Sequence, residues 1–280
     1  MTTTLRPAAP ERALPDGGRE RRWQVCANGR PVGAVSTVAR PLGAGWSGQI
    51  AELEIAAAGR RRGRGTVAVL AAEEVLRGWG CHRVELTVPA EAPAALALAH
   101  SLGYTETNRK LLKAIGHPPA LAAGLTIRRL GDREFPQWLA HSQATYQEHL
   151  IGSGLTARQA LDRCAADHTH LLPDGPATAG VALRQLLCDG RPVGSLWVDL
   201  QSGSRPDGLP LAWVMTVDVE AAERGHGYGR ELMLAAEREC LAAGVRHLGL
   251  NVFSANRVAI NLYESLGYRV SCRVLAKPLI

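Results

Sequence analysis

The chain has 280 residues, 46% of them hydrophobic and 21% charged, enough apolar material for two ordinary globular domains. Its net charge of +6 lies wholly in residues 1–118, where 16 Arg and Lys face 10 Asp and Glu; the remainder balances at 16 against 16. No apolar run reaches membrane-span length and the N-terminus carries no apolar signal core, so the expectation is a cytoplasmic chain without membrane contact. The six cysteines show no paired spacing and the nine histidines form no metal-ligand pattern, which speaks against a disulfide scaffold or a metal site.

In chain order, Thr4–Arg6 and Trp23–Ala27 read as strands, with too little chain between them for two helices. RRRGRG at 60–65 opens a helix-forming run that ends at Gly80, and SLGY follows at 101–104. GHPPALAAG at 116–124 has two prolines and no apolar periodicity, the mark of a linker. A strand over 125–130 then precedes a helix over 132–151 that carries Trp138, Tyr146 and His149. Thr156 with Gln159 predicts a capping box for the next helix, which runs to Leu172. Strands over Val181–Cys188 and Pro192–Asp199 are joined through Asp189-Gly190, a hairpin signal. After a loop over 201–209, the apolar run from Leu211 to Val219 predicts a strand, and ELMLAAERECLAAG predicts a helix. A strand from Leu248 to Phe253 leads to a last helix with Ala259, Leu262, Tyr263 and Leu266 on one face.

An internal repeat organises these elements. NGRPVGAV (28–35) matches DGRPVGSL (189–196), RRRGRG (60–65) matches RGHGYG (224–229), and SLGY recurs at 265–268. The last two matches share one offset of 164 residues, and Gly80 matches Gly244 at the same offset. A period of this length is a domain duplication. The offset sets Ala92 opposite Asn256 and Ala99 opposite Tyr263, so the first copy keeps Arg60, Gly63 and Gly65 but lacks the asparagine and the tyrosine.

The second glycine turn is where chemistry is concentrated. A strand ending at Val217–Val219 feeds Arg224, Gly225, His226, Gly227, Tyr228, Gly229 and Arg230 at the opening of a helix. Glycines let the backbone approach an anion, the first-turn N–H groups point at it, and the helix dipole favours negative charge. G-x-G-x-G departs from the dinucleotide fingerprint, the next strand carries Asn251 and no acid, and a Walker G-K-[ST] is absent. The pattern R-x-x-G-x-G at a helix start resembles the pyrophosphate signature of the GNAT acetyltransferase superfamily. Asn256, Ala259, Leu262, Tyr263 and Gly267-Tyr268 resemble the segment that follows it there.

The resemblance implies an α/β (α+β) fold of two tandem GNAT-type domains. Each would be a mixed, mostly antiparallel sheet flanked by helices, with a truncated, degenerate first copy over 1–118, a linker over 119–124 and a complete catalytic copy over 125–280. It implies acetyl-CoA as cofactor, with backbone groups at Val217 and Val219 on the pantetheine arm. The turn from Arg224 to Arg230 would hold the diphosphate, Asn256 would lie beside the cofactor, and Tyr263 would be general acid. The acceptor would be the primary amine of a small molecule, an amino sugar, amino acid or antibiotic-like amine, attacking directly in a ternary complex. Alternatives are a non-catalytic CoA-binding protein and a protein N-terminal acetyltransferase. Some superfamily members carry a glutamate base where Trp213 stands; Asp199, Asp218, Glu220, Glu148 and His149 are the remaining candidates. Trp138, Tyr146, Glu148, His149, Trp197 and Trp213 would line an acceptor pocket or serve as core. Nucleic acid on Arg60–Arg64 is disfavoured by the lack of an aromatic platform, no metal is implied, and a monomer or homodimer is expected.

Overall fold

The computed structural model describes residues 2–43, 45–205 and 207–279; Pro206, in the loop expected over 201–209, lies outside them. The chain forms two compact units: residues up to Asn108 with those from Cys272 onward, and Arg109–Ser271.

In the first unit, β1 (Thr3–Pro7), β3 (Arg19–Ala27), β4 (Arg30–Leu42) and β5 (Gly45–Ile55) pair antiparallel in sequence, with the two-residue β2 (Arg12–Ala13) on β3. Helix α1 (Arg64–Gly78) crosses over to β6 (Cys81–Pro89), which pairs parallel with β5. Its core face, Ala68, Val69, Ala72 and Leu76, is buried against Val25, Val35 and Ile50. Helix α2 (Pro93–Ser101) and the first residues of β7 (Thr105–Ala114) follow. Only strand β2 lies between β1 and β3, which is the truncation the sequence implies.

The second unit runs β8 (Leu125–Arg129), α3 (Phe135–Gly152), α4 (Ala157–Leu171), β9 (Val181–Cys188), β10 (Arg191–Ser204), β11 (Pro210–Val219), α5 (Tyr228–Ala242), β12 (His247–Phe253), α6 (Arg257–Ser265). Sheet neighbours are antiparallel from β8 to β11, and β11 pairs parallel with β12. Thr156 caps α4 as its spacing implies: its hydroxyl accepts from Gln159 N at 3.3 Å while the Gln159 side chain accepts from Thr156 N at 3.0 Å. The two hairpin dipeptides take positive φ at both residues, +49° and +79° at Asn28-Gly29 and +49° and +82° at Asp189-Gly190. That is the type I′ geometry whose twist suits antiparallel strands.

The last strands do not stay with the copy that precedes them. β7 begins in the first unit and contributes residues 109–114 to the second; β13 (Arg269–Pro278) contributes Cys272–Pro278 to the first, where they pair antiparallel with β6. The boundaries expected at 118 and 125 assign each terminal strand to its own copy. The compact units divide at 108/109 and 271/272, within the ten-residue strands β7 and β13.

One buried polar group in each unit matches this exchange. Glu73 on α1 and Glu237 on α5 are each 3% exposed although they sit on core faces. Glu73 accepts from the Tyr104 hydroxyl and from Lys277 Nζ, both at 2.8 Å. Glu237 accepts from Tyr268 at 3.2 Å and from Lys113 Nζ at 2.6 Å. Each lysine also lies over the tyrosine ring of its triad, at 5.6 and 5.5 Å. A buried carboxylate is tolerable only when paired and hydrogen-bonded. Here its cation arrives on the exchanged strand, and two of the chain's three lysines are used for it.

Candidate active site

The site of the second unit is built around a sheet that opens. β11 pairs with β12 only from Ala212 to Val214, against Leu248–Leu250, although the strands continue to Val219 and Phe253. Beyond that point Met215–Asp218 and Asn251–Phe253 line a cavity of about 250 Å³ together with α3, α4 and α6. On its other edge β11 stays paired, Val217 with Leu196 and Val219 with Gly194. Gly194 is required there, since an added Cβ would stand 2.5 Å from Asp218 O.

At the end of β11 the chain turns into α5. Arg224 Nε donates to Val219 O at 3.2 Å, which fixes the turn against the strand it leaves. Gly225 and Gly227 have φ of +89° and +86°, with open space around both, and Gly227 is an N-cap with no side-chain cap bond. The helix therefore presents its opening N–H groups without a covering side chain, as an anion cradle needs. Gly229 serves packing: a Cβ there would lie 3.2 Å from Leu262 on α6. His226 stacks on Tyr228 at 5.9 Å, its Nδ1 3.1 Å from Glu223 O. The Arg230 guanidinium donates to Ser265 Oγ at 2.7 Å and its N–H to Gly227 O at 2.9 Å, so the backbone group expected at an anion here is used within the turn.

Asn256 and Tyr263 reach the cavity from α6. Asn256 is that helix's N-cap, its Oδ1 accepting from Ala259 N at 3.0 Å. Tyr263 is 9% exposed, and burial pushes its phenol up to about 12, so it stays protonated through the neutral range. No described residue hydrogen-bonds its hydroxyl.

Of the residues weighed as pocket or core, Trp138, Tyr146, His149, Trp197 and Trp213 line the cavity, and Glu148 does not. Trp213 pairs with Gly249, where a Cβ would stand 2.3 Å from its ring, so the glycine makes room for the indole. Among the base candidates only Asp218 and His149 border the cavity; Asp199 accepts from Gln201 N at 2.9 Å, and Glu220 is exposed beyond the strand end. Burial lowers the His149 pKa, and its ring stacks on Phe253 at 4.9 Å. Sequence reasoning missed His141, whose Nε2 is 2.9 Å from Asp218 Oδ2, and His168, buried between α3 and α4. A single histidine on a helix has no spacing signal; the sheet register brings His141 to its partner.

The second unit thus combines a splayed strand pair, an uncapped glycine turn at a helix start and a tyrosine facing the cavity beside the splay. The sequence profile of the Acetyltransferase (GNAT) family matches residues 3–104 and 138–268, and the chain belongs to that family in tandem form as an N-acetyltransferase. It is 30% identical over 226 residues to a mycothiol acetyltransferase of Propionibacterium freudenreichii subsp. shermanii, covering 78% of this chain and 67% of that protein. A GCN5-related N-acetyltransferase from Sphaerobacter thermophilus shares its fold with a TM-score of 0.60 at 19% identity, over 92% of this chain and 80% of that one. So does a tandem GNAT protein from the clavulanic acid biosynthesis pathway, with a TM-score of 0.53 at 21% identity over 96% and 85%. GNAT enzymes use acetyl-CoA, and no described helix is long and apolar enough to cross a membrane.

Proposed function

We propose that the second unit binds acetyl-CoA in the opening between β11 and β12 and acetylates the primary amine of a small molecule held in the adjoining cavity. The observation that carries this reading is the convergence, in one unit, of an uncapped glycine cradle, a strand edge released from pairing and a protonated Tyr263. The residues fit the cofactor. Gly225 and Gly227 leave open space where a diphosphate would approach the backbone, and the free edge at Val217–Val219 offers main-chain groups to a pantetheine amide. Arg224, His226, Tyr228, Gly229 and Arg230 belong to the same turn and helix start, and Asn256 caps the helix that carries Tyr263.

The bound thioester supplies an activated acetyl group; the chain's own residues then orient and move protons. Main-chain N–H groups at the strand edge are placed to stabilise a developing oxyanion. Tyr263 would hold the proton that a leaving thiolate takes up, with the amine attacking directly in a ternary complex. Among the described residues the cavity lining contains Asp218 and Asp167, the latter paired outward with Arg163, and no Arg or Lys. That composition favours a cationic amine, an amino sugar or antibiotic-like amine, over an amino acid whose carboxylate would need a positive partner. Titration calorimetry with acetyl-CoA, followed by CoA release across amines with and without a carboxylate, tests the reading. Binding with turnover of carboxylate-free amines is expected; absence of acetyl-CoA affinity contradicts it.

A further inference from the structure

β11 carries one carboxylate, Asp218, in the stretch freed from β12. Asp218 pairs across the sheet with Ser195, and Ser195 Oγ accepts from Trp138 Nε1 at 3.1 Å. Trp138 docks α3 on this rung, and one turn later the same helix face brings His141 Nε2 to 2.9 Å from Asp218 Oδ2. The carboxylate end of this pair is 19% exposed and the imidazole end 58%, while both residues line the cavity that holds Tyr263. A carboxylate that accepts an Nε2–H leaves Nδ1 with its lone pair free and steadies the imidazolium that forms when Nδ1 is protonated. The exposed ring can then return that proton to solvent.

The other titratable groups facing this space are engaged or differently suited. His168 on α4 has Nδ1 at 2.9 Å from Cys164 O and Nε2 at 3.4 Å from Ser142 Oγ. Asp167, also on α4, is held by Arg163 at 2.8 Å and by the Tyr146 hydroxyl at 2.9 Å. Tyr263 on α6 is a donor. His149 on α3, kept toward its neutral form by burial against the opposing charge of Glu148, has no hydrogen-bonded carboxylate among the described residues and is the rival.

We infer that His141, oriented by Asp218, is the proton acceptor for the incoming amine. Its Nδ1 forms an N–H bond as an ammonium N–H of the acceptor breaks, the amine keeps the electron pair for attack, and the proton leaves to water. Asp218 is the positioning residue. The inference rests on the second unit being the acetyl-transfer unit.

The test uses the full chain, acetyl-CoA, and glucosamine, kanamycin, tyramine and spermidine as acceptor probes, with pH profiles taken on the amine turned over fastest. His141→Gln should lower kcat/KM by about 10²–10³-fold near neutral pH, the order for losing a general base. The deficit should close as pH rises and the amine loses its own proton, with acetyl-CoA affinity by calorimetry retained. ¹⁵N spectra of the His141 ring should show the Nε2–H tautomer in the wild type, and Asp218→Asn should lose that preference. A pH-independent loss, no loss, an Nδ1–H tautomer in the wild type, or a pH-rescued loss in His149→Gln instead would overturn the assignment alone. Failure of acetyl-CoA to bind, or of all four amines to be turned over, would overturn it together with the acetyl-transfer reading.

Discussion

The two units are the same frame put to different use. Arg60 Nε donates to Ile55 O at 2.8 Å as Arg224 Nε does to Val219 O, and the strand pair of each opens after equivalent residues, Ile50 and Val214. A Cβ added at Gly65 would stand 3.2 Å from Leu98, as one added at Gly229 would from Leu262. Both helices bury a glutamate held by a tyrosine and a lysine. What differs is the equipment laid on that frame. Ala92 and Ala99 replace Asn256 and Tyr263, and no helices follow β1 to cover the cleft. The residues shared by the two copies serve packing and turn geometry, whereas Asn256 and Tyr263, besides capping α6 and filling the core, also line the cavity.

The largest expected effect tests the shared frame. Lys113→Met or Lys277→Met leaves a carboxylate buried without its cation, a loss of about 3–5 kcal/mol in each case. Denaturant unfolding should show similar losses for both variants, and a large loss in one alone would break the symmetry of the comparison. Next is the difference in equipment: Tyr263→Phe should cut turnover about 10²-fold with acetyl-CoA affinity retained. Ala99→Tyr should not restore activity to that variant, because the first unit lacks the covering helices. The Tyr263 phenol adds a pH dependence. Its folded pKa of about 12 lies above its ordinary 10.0, so its stabilising contribution is complete below pH 10.0 and is lost as pH rises through about 12. Tyr263→Phe should flatten that part of the alkaline unfolding curve.

Smaller effects sharpen the same contrast. Arg224→Glu should weaken acetyl-CoA binding about tenfold or more, as loss of a charge-assisted contact and reversal of its sign require. Arg60→Glu should leave catalytic turnover in the second unit intact. Asn256→Ala removes a cap worth about 1 kcal/mol, and Ala92→Asn, at an N-cap that has no side-chain bond, should gain a fraction of that in thermal unfolding.

Much of this was legible in the amino-acid order because it is local. The strand from Val181 to Cys188, the Thr156 box, the Asp189-Gly190 turn and the glycine turn at 224–229 each rest on residues a few positions apart. The 164-residue offset then carried one copy's reading onto the other. The exchange of β7 and β13 was not legible, since Thr105–Ala114 reads as one strand whichever sheet it joins. Glu73 and Glu237 look like ordinary helix glutamates until Lys277 and Lys113 are seen beside them. His141 met Asp218 only through the register that sets Ser195 opposite Asp218 and Trp138 upon Ser195. The bond from Arg230 N–H to Gly227 O was likewise not legible, since it depends on how the turn closes into α5.

The most direct test of the account is a crystal structure of the full chain with acetyl-CoA. The account predicts the diphosphate against the main chain of Gly225–Gly229, the pantetheine along Val217–Val219, and the thioester sulfur beside the Tyr263 hydroxyl. A complex with the coenzyme lodged only at the Arg60–Gly65 turn, or with Tyr263 remote from the sulfur, would contradict it.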